Sequence, residues 1–341
     1  MTAMTKNQIA LIEAITQNDM PKARACARAC VAEDDTKKNA FDCKRFARLL
    51  DPVQNPELEK LPWKIEGMLE VEYPAQTFQM NRYYLSPREG ALFGCIDRDR
   101  KVCEALMRMR IMRANTTLLY GASGTGKTTF GRFLAAMFGL PFYYVNFSRL
   151  IDGLMGKTSQ NLAAVFDYAR TTPCVLMLDE IDTVSTQRKG TGDGTGGEIN
   201  RITVTLMQEF DKLQNMHIVL GATNRLDIID SALLRRFSRV HEITVPTDEI
   251  EASHLIELLL DDCHVKYITD DLIEFCRNHK GESQAWFLNQ TIDRIAKAIE
   301  LEQAFDARSE GGSLDLTERE TKLLGVFFKK ADEYERLLPK D

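Results

Sequence analysis

The sequence predicts an α/β fold: a five-stranded parallel sheet core with a C-terminal α-helical lid domain and a small N-terminal helical domain. Two observations carry that expectation. After Gly90, short apolar runs alternate with amphipathic stretches, the pattern of a parallel sheet covered by helices on both faces. Within that alternation, Gly121-Ala-Ser-Gly-Thr-Gly-Lys-Thr128 follows an apolar run and opens a helical stretch. A chain of 341 residues is long enough for a domain of this kind, of about 200 residues, with smaller helical pieces at its ends.

In chain order, residues 1–50 read as short helices. Ile9, Ile12 and Ile15 form an apolar stripe, and Asp19 and Pro21 mark a break and restart. Cys26 and Cys30 lie one helical turn apart with Cys43 beyond, but no Cys-x-x-Cys pair occurs and no histidine is near in sequence, so these thiols read as helix-packing residues. Residues 51–90, with prolines at 52, 56, 62, 74 and 87 and tyrosines at 73, 83 and 84, read as a linker or a few edge strands. Residues 91–247 hold candidate strands at 116–120, 142–146, 174–178, 217–222 and 240–245, with helices near 127–138, 159–170, 198–213 and 229–236. Residues 248–341 read as helices at 250–260, 271–278, 284–303 and 317–338, interrupted at Gly311 and Gly312.

Composition excludes several classes. Apolar residues make up 44% and charged residues 28%, a globular balance rather than a disordered or fibrous one. A net charge of -6 argues against wholesale non-specific binding to nucleic acid or anionic membrane. No run approaches the roughly 18 apolar residues of a membrane span, and the first residues lack a secretory signal pattern. The expectation is a cytoplasmic protein that engages no membrane and keeps its eight cysteines reduced.

The loop at 121–128 is a phosphate cradle by its chemistry. Glycines at 121, 124 and 126 let successive N–H groups converge on phosphate oxygens, and the helix that follows adds its positive dipole end. Gly121, Ala122, Ser123, Gly124, Thr125, Gly126, Lys127, Thr128 and Thr129 are the expected nucleotide contacts. Lys127 would reach the β and γ phosphates and Thr128 would ligate magnesium. The sheet is thus expected to be that of a P-loop NTPase.

The run 174–178 ends in Asp179-Glu180, so a buried strand would deliver two acids to the carboxyl edge of the sheet, where ligands of open α/β sheets bind. Asp179 is the expected second magnesium ligand, and Glu180 the residue that polarises the attacking water.

These segments resemble the AAA+ ATPases, in the branch that includes microtubule-severing enzymes, endosomal-sorting remodellers and FtsH-like protease motors. The resemblance runs from about Ala91 to Lys297. Leu178-Asp-Glu-Ile-Asp182 is similar to the Walker B segment, and Gly221-Ala-Thr-Asn-Arg225 to the first sensor, which implies that Asn224 helps position water. Ser231-Ala-Leu-Leu-Arg-Arg-Phe237 resembles the arginine-finger segment, which implies that Arg235 and Arg236 act on the nucleotide of a neighbouring subunit. A guanidinium suits that role because it brings a fixed positive charge to the charge developing on the γ phosphate.

The resemblance also implies ATP and Mg2+ as ligands and a homo-oligomeric ring, usually a hexamer. Leu154-Met155-Gly156 stands where many remodellers carry a pore aromatic, so the grip on a threaded chain would be softer apolar contact. Gly281-Glu-Ser283 partly matches the branch's lid motif. The loop at 189–197 and Arg201 fall where the family has a second pore loop and a subunit-contact arginine.

The function these readings support is an ATPase that remodels or unfolds a protein or protein complex, engaged through the N-terminal domain or handed over by a partner. No His-Glu-x-x-His motif occurs, so any protease would be a separate chain. The alternative is an ATPase assisting a nucleic-acid transaction, which the basic stretch Arg108-Met-Arg-Ile-Met-Arg113 keeps open although no DNA-binding motif is present. A nucleotide-gated scaffold without turnover is disfavoured by the presence of Glu180, Asn224 and Arg235 together.

Overall fold

The computed structural model describes residues 4–16, 20–34, 39, 43, 46, 61, 65–147, 158–184, 194–213, 217–265 and 267–308. The pore-loop segment at Leu154-Met155-Gly156, most of the loop at 189–197 and the helix expected at 317–338 lie outside the described residues.

Two N-terminal helices, α1 (Lys6–Thr16) and α2 (Met20–Glu33), pack against each other and leave Ile9, Ile12 and Ile15 exposed. The sheet begins with β1 (Glu70–Glu72), followed by the short α3 (Pro74–Thr77) and the long α4 (Pro87–Arg108). α4 starts where its sequence dictates. Ser86 and Glu89 form a reciprocal capping box, with Pro87 in the first turn, where its missing N–H costs nothing.

The central elements then alternate: β2 (Asn115–Tyr120), α5 (Lys127–Phe138), β3 (Phe142–Asn146), α6 (Thr158–Ala169), β4 (Val175–Asp179), α7 (Gly194–Asp211), β5 (Ile218–Thr223), α8 (Ser231–Leu234) and β6 (Arg239–Glu242). The spatial order is β1-β3-β4-β5-β2-β6. β2 to β6 are parallel and are the five strands expected from the sequence. β1 adds a sixth, antiparallel edge strand from the stretch read as linker or edge strands, with Val71 opposite Tyr143.

Successive strand residues bury into opposite layers. Leu118, Leu176, Leu178 and Val219 face α6 and α7 through Leu162, Phe166, Leu206 and Phe210. Leu119, Val175, Met177 and Leu220 face α4 and α5 through Leu92, Ile96, Phe130 and Leu134. Each of these large side chains contributes about 1.5–3 kcal/mol by leaving water. Burial on both faces explains why the strands read as continuous apolar runs.

The lid comprises α9 (Glu249–Asp262), α10 (Thr269–Asn278) and α11 (Gln284–Arg308). Leu255, Ile256, Leu260, Leu272, Phe275 and Phe287 form its separate core, against which Tyr84 also packs. Arg82 and Asn81 bond to Asp262 of α9, tying the segment before α4 to the lid. Among the described residues, no helix is long and apolar enough to cross a membrane.

Candidate active site

β2, β4 and β5 end side by side at the carboxyl edge, so the loops that leave them share one space. Tyr120 is in register with Thr223 and Leu178 with Gly221. The loop after β2 wraps tightly over this edge. Gly121 has φ 147, and a Cβ there would lie 2.1 Å from the Ile243 carbonyl oxygen, so only glycine fits the turn.

Lys127 opens α5 with its side chain turned back into the loop. Its Nζ donates to the carbonyls of Gly121 and Ala122 at 2.9 and 2.8 Å and to Asn224 Oδ1 at 2.7 Å. Burial pushes the Lys127 ammonium below its ordinary pKa, and the charges of Asp179 and Asp182 oppose that. The contact between Lys127 and Asn224 joins residues that the sequence assigns to separate motifs.

Thr128 Oγ1 donates to Asp179 Oδ2 at 2.9 Å, linking the phosphate loop to the end of β4. A hydroxyl and a carboxylate oxygen at this separation are hard donors of the type Mg2+ takes. The residues present therefore fit that ion.

Glu180 departs from regular geometry, with φ 54. Left-handed backbone at a non-glycine residue costs about 1–3 kcal/mol and persists only where neighbours hold it. Here the Glu180 N–H donates to Asp179 Oδ1, and its carbonyl accepts from both the N–H and the hydroxyl of Thr183. The turn separates the two acids: Asp179 faces Thr128 while Glu180 lines the cavity mouth.

These groups line a cavity of about 340 Å³. Ser123, Gly124, Gly126, Lys127, Thr128, Thr129, Asp179, Glu180 and Asn224 are the lining residues the sequence identifies. Gly121 and Ala122 take part through their carbonyls, and Thr125 is buried beneath the loop, donating to the Ala122 carbonyl at 3.0 Å.

The remaining lining residues carried no motif. Arg82, Tyr83 and Tyr84 come from the segment before α4, and Leu255, Gln284, Ala285 and Leu288 come from the lid. The Ala285 N–H donates to the Gly124 carbonyl at 3.0 Å, so α11 docks on the loop backbone. The tyrosine pair in a stretch of otherwise mixed composition was the available sequence signal.

Arg235 and Arg236 are not brought to this cavity. Arg235 is exposed, and its Nε donates to the Ser231 carbonyl of its own turn, at 3.2 Å. Arg236 is engaged locally, in a two-bond pair with Asp211 and a bond to the Ala232 carbonyl. Their turn is held rigidly. Thr116 of β2 donates to the Arg236 carbonyl at 2.8 Å, and buried Phe237 packs edge-on against Phe210. Arg201 is exposed on α7.

The segment carrying these features has known relatives. Residues 117–245 match the ATPase family associated with various cellular activities (AAA). Over 177 residues the chain is 34% identical to the peroxisomal ATPase PEX6 of Saccharomyces cerevisiae, a match covering 50% of this chain and 17% of that protein. It is 36% identical over 151 residues to the 26S proteasome regulatory subunit 10B homolog A of Arabidopsis thaliana, covering 43% of this chain and 38% of that protein. Against PEX6 of Mus musculus the identity is 32% over 210 residues, covering 56% of this chain and 21% of that protein. The chain thus spans less than two fifths of the length of these relatives. The family match falls on the loop at 121–128, the acidic strand end, the Asn224 turn and the turn carrying Arg235, so this segment is similar to the ATPase domain of that family.

Proposed function

We propose that this chain hydrolyses ATP to ADP and phosphate, and that it uses the reaction to remodel a protein or protein complex as a ring, most simply a hexamer. The observation that carries the reading is the convergence of Lys127, Thr128, Asp179, Glu180 and Asn224 on one cavity edge. Lys127 exchanges its two loop carbonyls for β and γ phosphate oxygens and keeps Asn224 beside it. Glu180 takes a proton from the attacking water while Asn224 orients that water. Thr128 and Asp179 would hold a magnesium ion, which would supply charge neutralisation to the phosphates.

Arg235 serves the site of the next subunit. Its exposure, with no carboxylate partner among the described residues, suits the guanidinium to reach a neighbour, whereas Arg236 has local partners and a secondary part. The sheet domain at 91–247 carries the chemistry, and the lid at 248–341, docked on Gly124 through Ala285, carries the response. Protein substrates are the class favoured, since the relatives matched are named a peroxisomal ATPase and a proteasome regulatory subunit. Substrate engagement falls to residues 1–50, and work in the cytoplasm fits the free thiols of this chain.

Steady-state ATP turnover by the purified chain, with Glu180→Gln as control, tests this. Loss of the general base should lower kcat about a thousandfold with nucleotide binding retained. Equal turnover by both proteins would remove Glu180 from the mechanism. Stimulation by unfolded protein supports the substrate class; stimulation by DNA alone would overturn it.

A further inference from the structure

β3 brings a phenol to the acidic strand end that no motif names. β3 and β4 run parallel with Tyr144 opposite Met177 and Asn146 opposite Asp179. From two residues back along the register, the Tyr144 hydroxyl reaches over and donates to Asp179 Oδ2 at 3.1 Å. That is the oxygen which also accepts from Thr128, at 2.9 Å. The other carboxylate oxygen accepts the Glu180 N–H at 2.9 Å. Three donors therefore determine how the carboxylate is turned.

The three differ in what else they must do. The Glu180 N–H holds Oδ1 alone and leaves the group free to pivot about that contact. The Thr128 hydroxyl is itself a proposed metal ligand, so its orientation answers to the cation. Among the described residues, Tyr144 is the side-chain donor to Oδ2 without that second duty. Its direction is also set, because Asn146 Nδ2 donates to the phenol oxygen at 3.4 Å and so leaves the phenol proton for Asp179. The ring is stacked on Phe142, with centroids 6.3 Å apart.

We propose that Tyr144 is a positioning residue for the metal side of the site: its hydroxyl fixes the Asp179 carboxylate so that, with Thr128, it presents its oxygen to a divalent cation. The inference rests on the ATPase reading. Partners of metal-binding carboxylates commonly change metal affinity or activity by about 10–100-fold when removed.

The test compares wild type with Tyr144→Phe, which removes one oxygen and keeps the ring. Binding of a fluorescent ADP analogue is measured in EDTA and across a Mg2+ titration, alongside ATP turnover at fixed ATP. The expected result is unchanged affinity in EDTA, a half-saturating Mg2+ concentration raised about tenfold, and an unchanged KM for ATP at saturating Mg2+. A Mg2+ dependence equal to wild type would overturn the proposal. So would affinity lost equally in EDTA, or a melting temperature far below wild type, since either marks Tyr144 as a packing residue. Failure of wild type itself to bind the analogue, or to gain affinity from Mg2+, would overturn the ATPase reading together with this one.

Discussion

The edge formed by β2, β4 and β5 and the turn carrying Arg235 differ in one respect: the first pairs Lys127 and Asp179 with side chains from neighbouring strands, whereas the second leaves the Arg235 guanidinium exposed, with no carboxylate partner among the described residues. Lys127 bonds to Asn224, and Thr128 and Tyr144 both bond to Asp179, so groups on or after β2, β3, β4 and β5 pair across strands. Arg235 lies at the end of α8, where the partner it has among the described residues is its own turn's Ser231 carbonyl. The two regions are nevertheless joined through a close approach. A Cβ on Gly221 of β5 would lie 2.7 Å from the Phe237 ring, so the turn sits against the strand that delivers Asn224. A charge that is rigidly mounted but locally unspent is suited to a partner outside its own chain.

Three substitutions sharpen that contrast. Arg235→Ala should lower kcat by about 10³-fold or more while nucleotide affinity and melting temperature stay near wild type. Mixing it with inactive Lys127→Ala chains should restore part of the turnover, because an intact site and an intact arginine then meet at some interfaces. No recovery on mixing would break the assignment of Arg235 to a neighbour's site. Gly221→Ala should come next, costing about 1–3 kcal/mol of stability by denaturant titration as Phe237 is forced aside. Unchanged stability there would mean that the turn is not wedged against β5. Arg236→Ala should cost least, within about 1 kcal/mol, because its pair with Asp211 is partly exposed and such pairs are weak. If Arg236→Ala abolished turnover as Arg235→Ala does, the two arginines would share one role.

The sheet was legible in the sequence because burial on both faces demands unbroken apolar runs, and 174–178 or 116–120 have no other good reading. The loop at 121–128 was legible because its chemistry is local: glycine conformations, one lysine and one hydroxyl lie within a single turn. Tyr144 was not, since a tyrosine in a strand reads as a packing residue until its neighbour strand is known. β3 contacts β4 through a register that no local pattern encodes. β1 was open between linker and edge strand because three residues pairing on one side leave almost no period to detect. Gln284 and Ala285 lay too far along the chain, and carried too little chemistry, to be tied to Gly124 before the lid was seen to dock there.

That docking gives the molecule a gear ratio. α11 has 25 residues, about 37 Å of rigid rod, and it is seated on the phosphate loop at its first turn through Ala285. A tilt of about ten degrees at the seated end is an excursion of about 6 Å at the other. A shift of the loop at Gly124 that tilted the helix by that angle would therefore move its far end by about the length of a side chain.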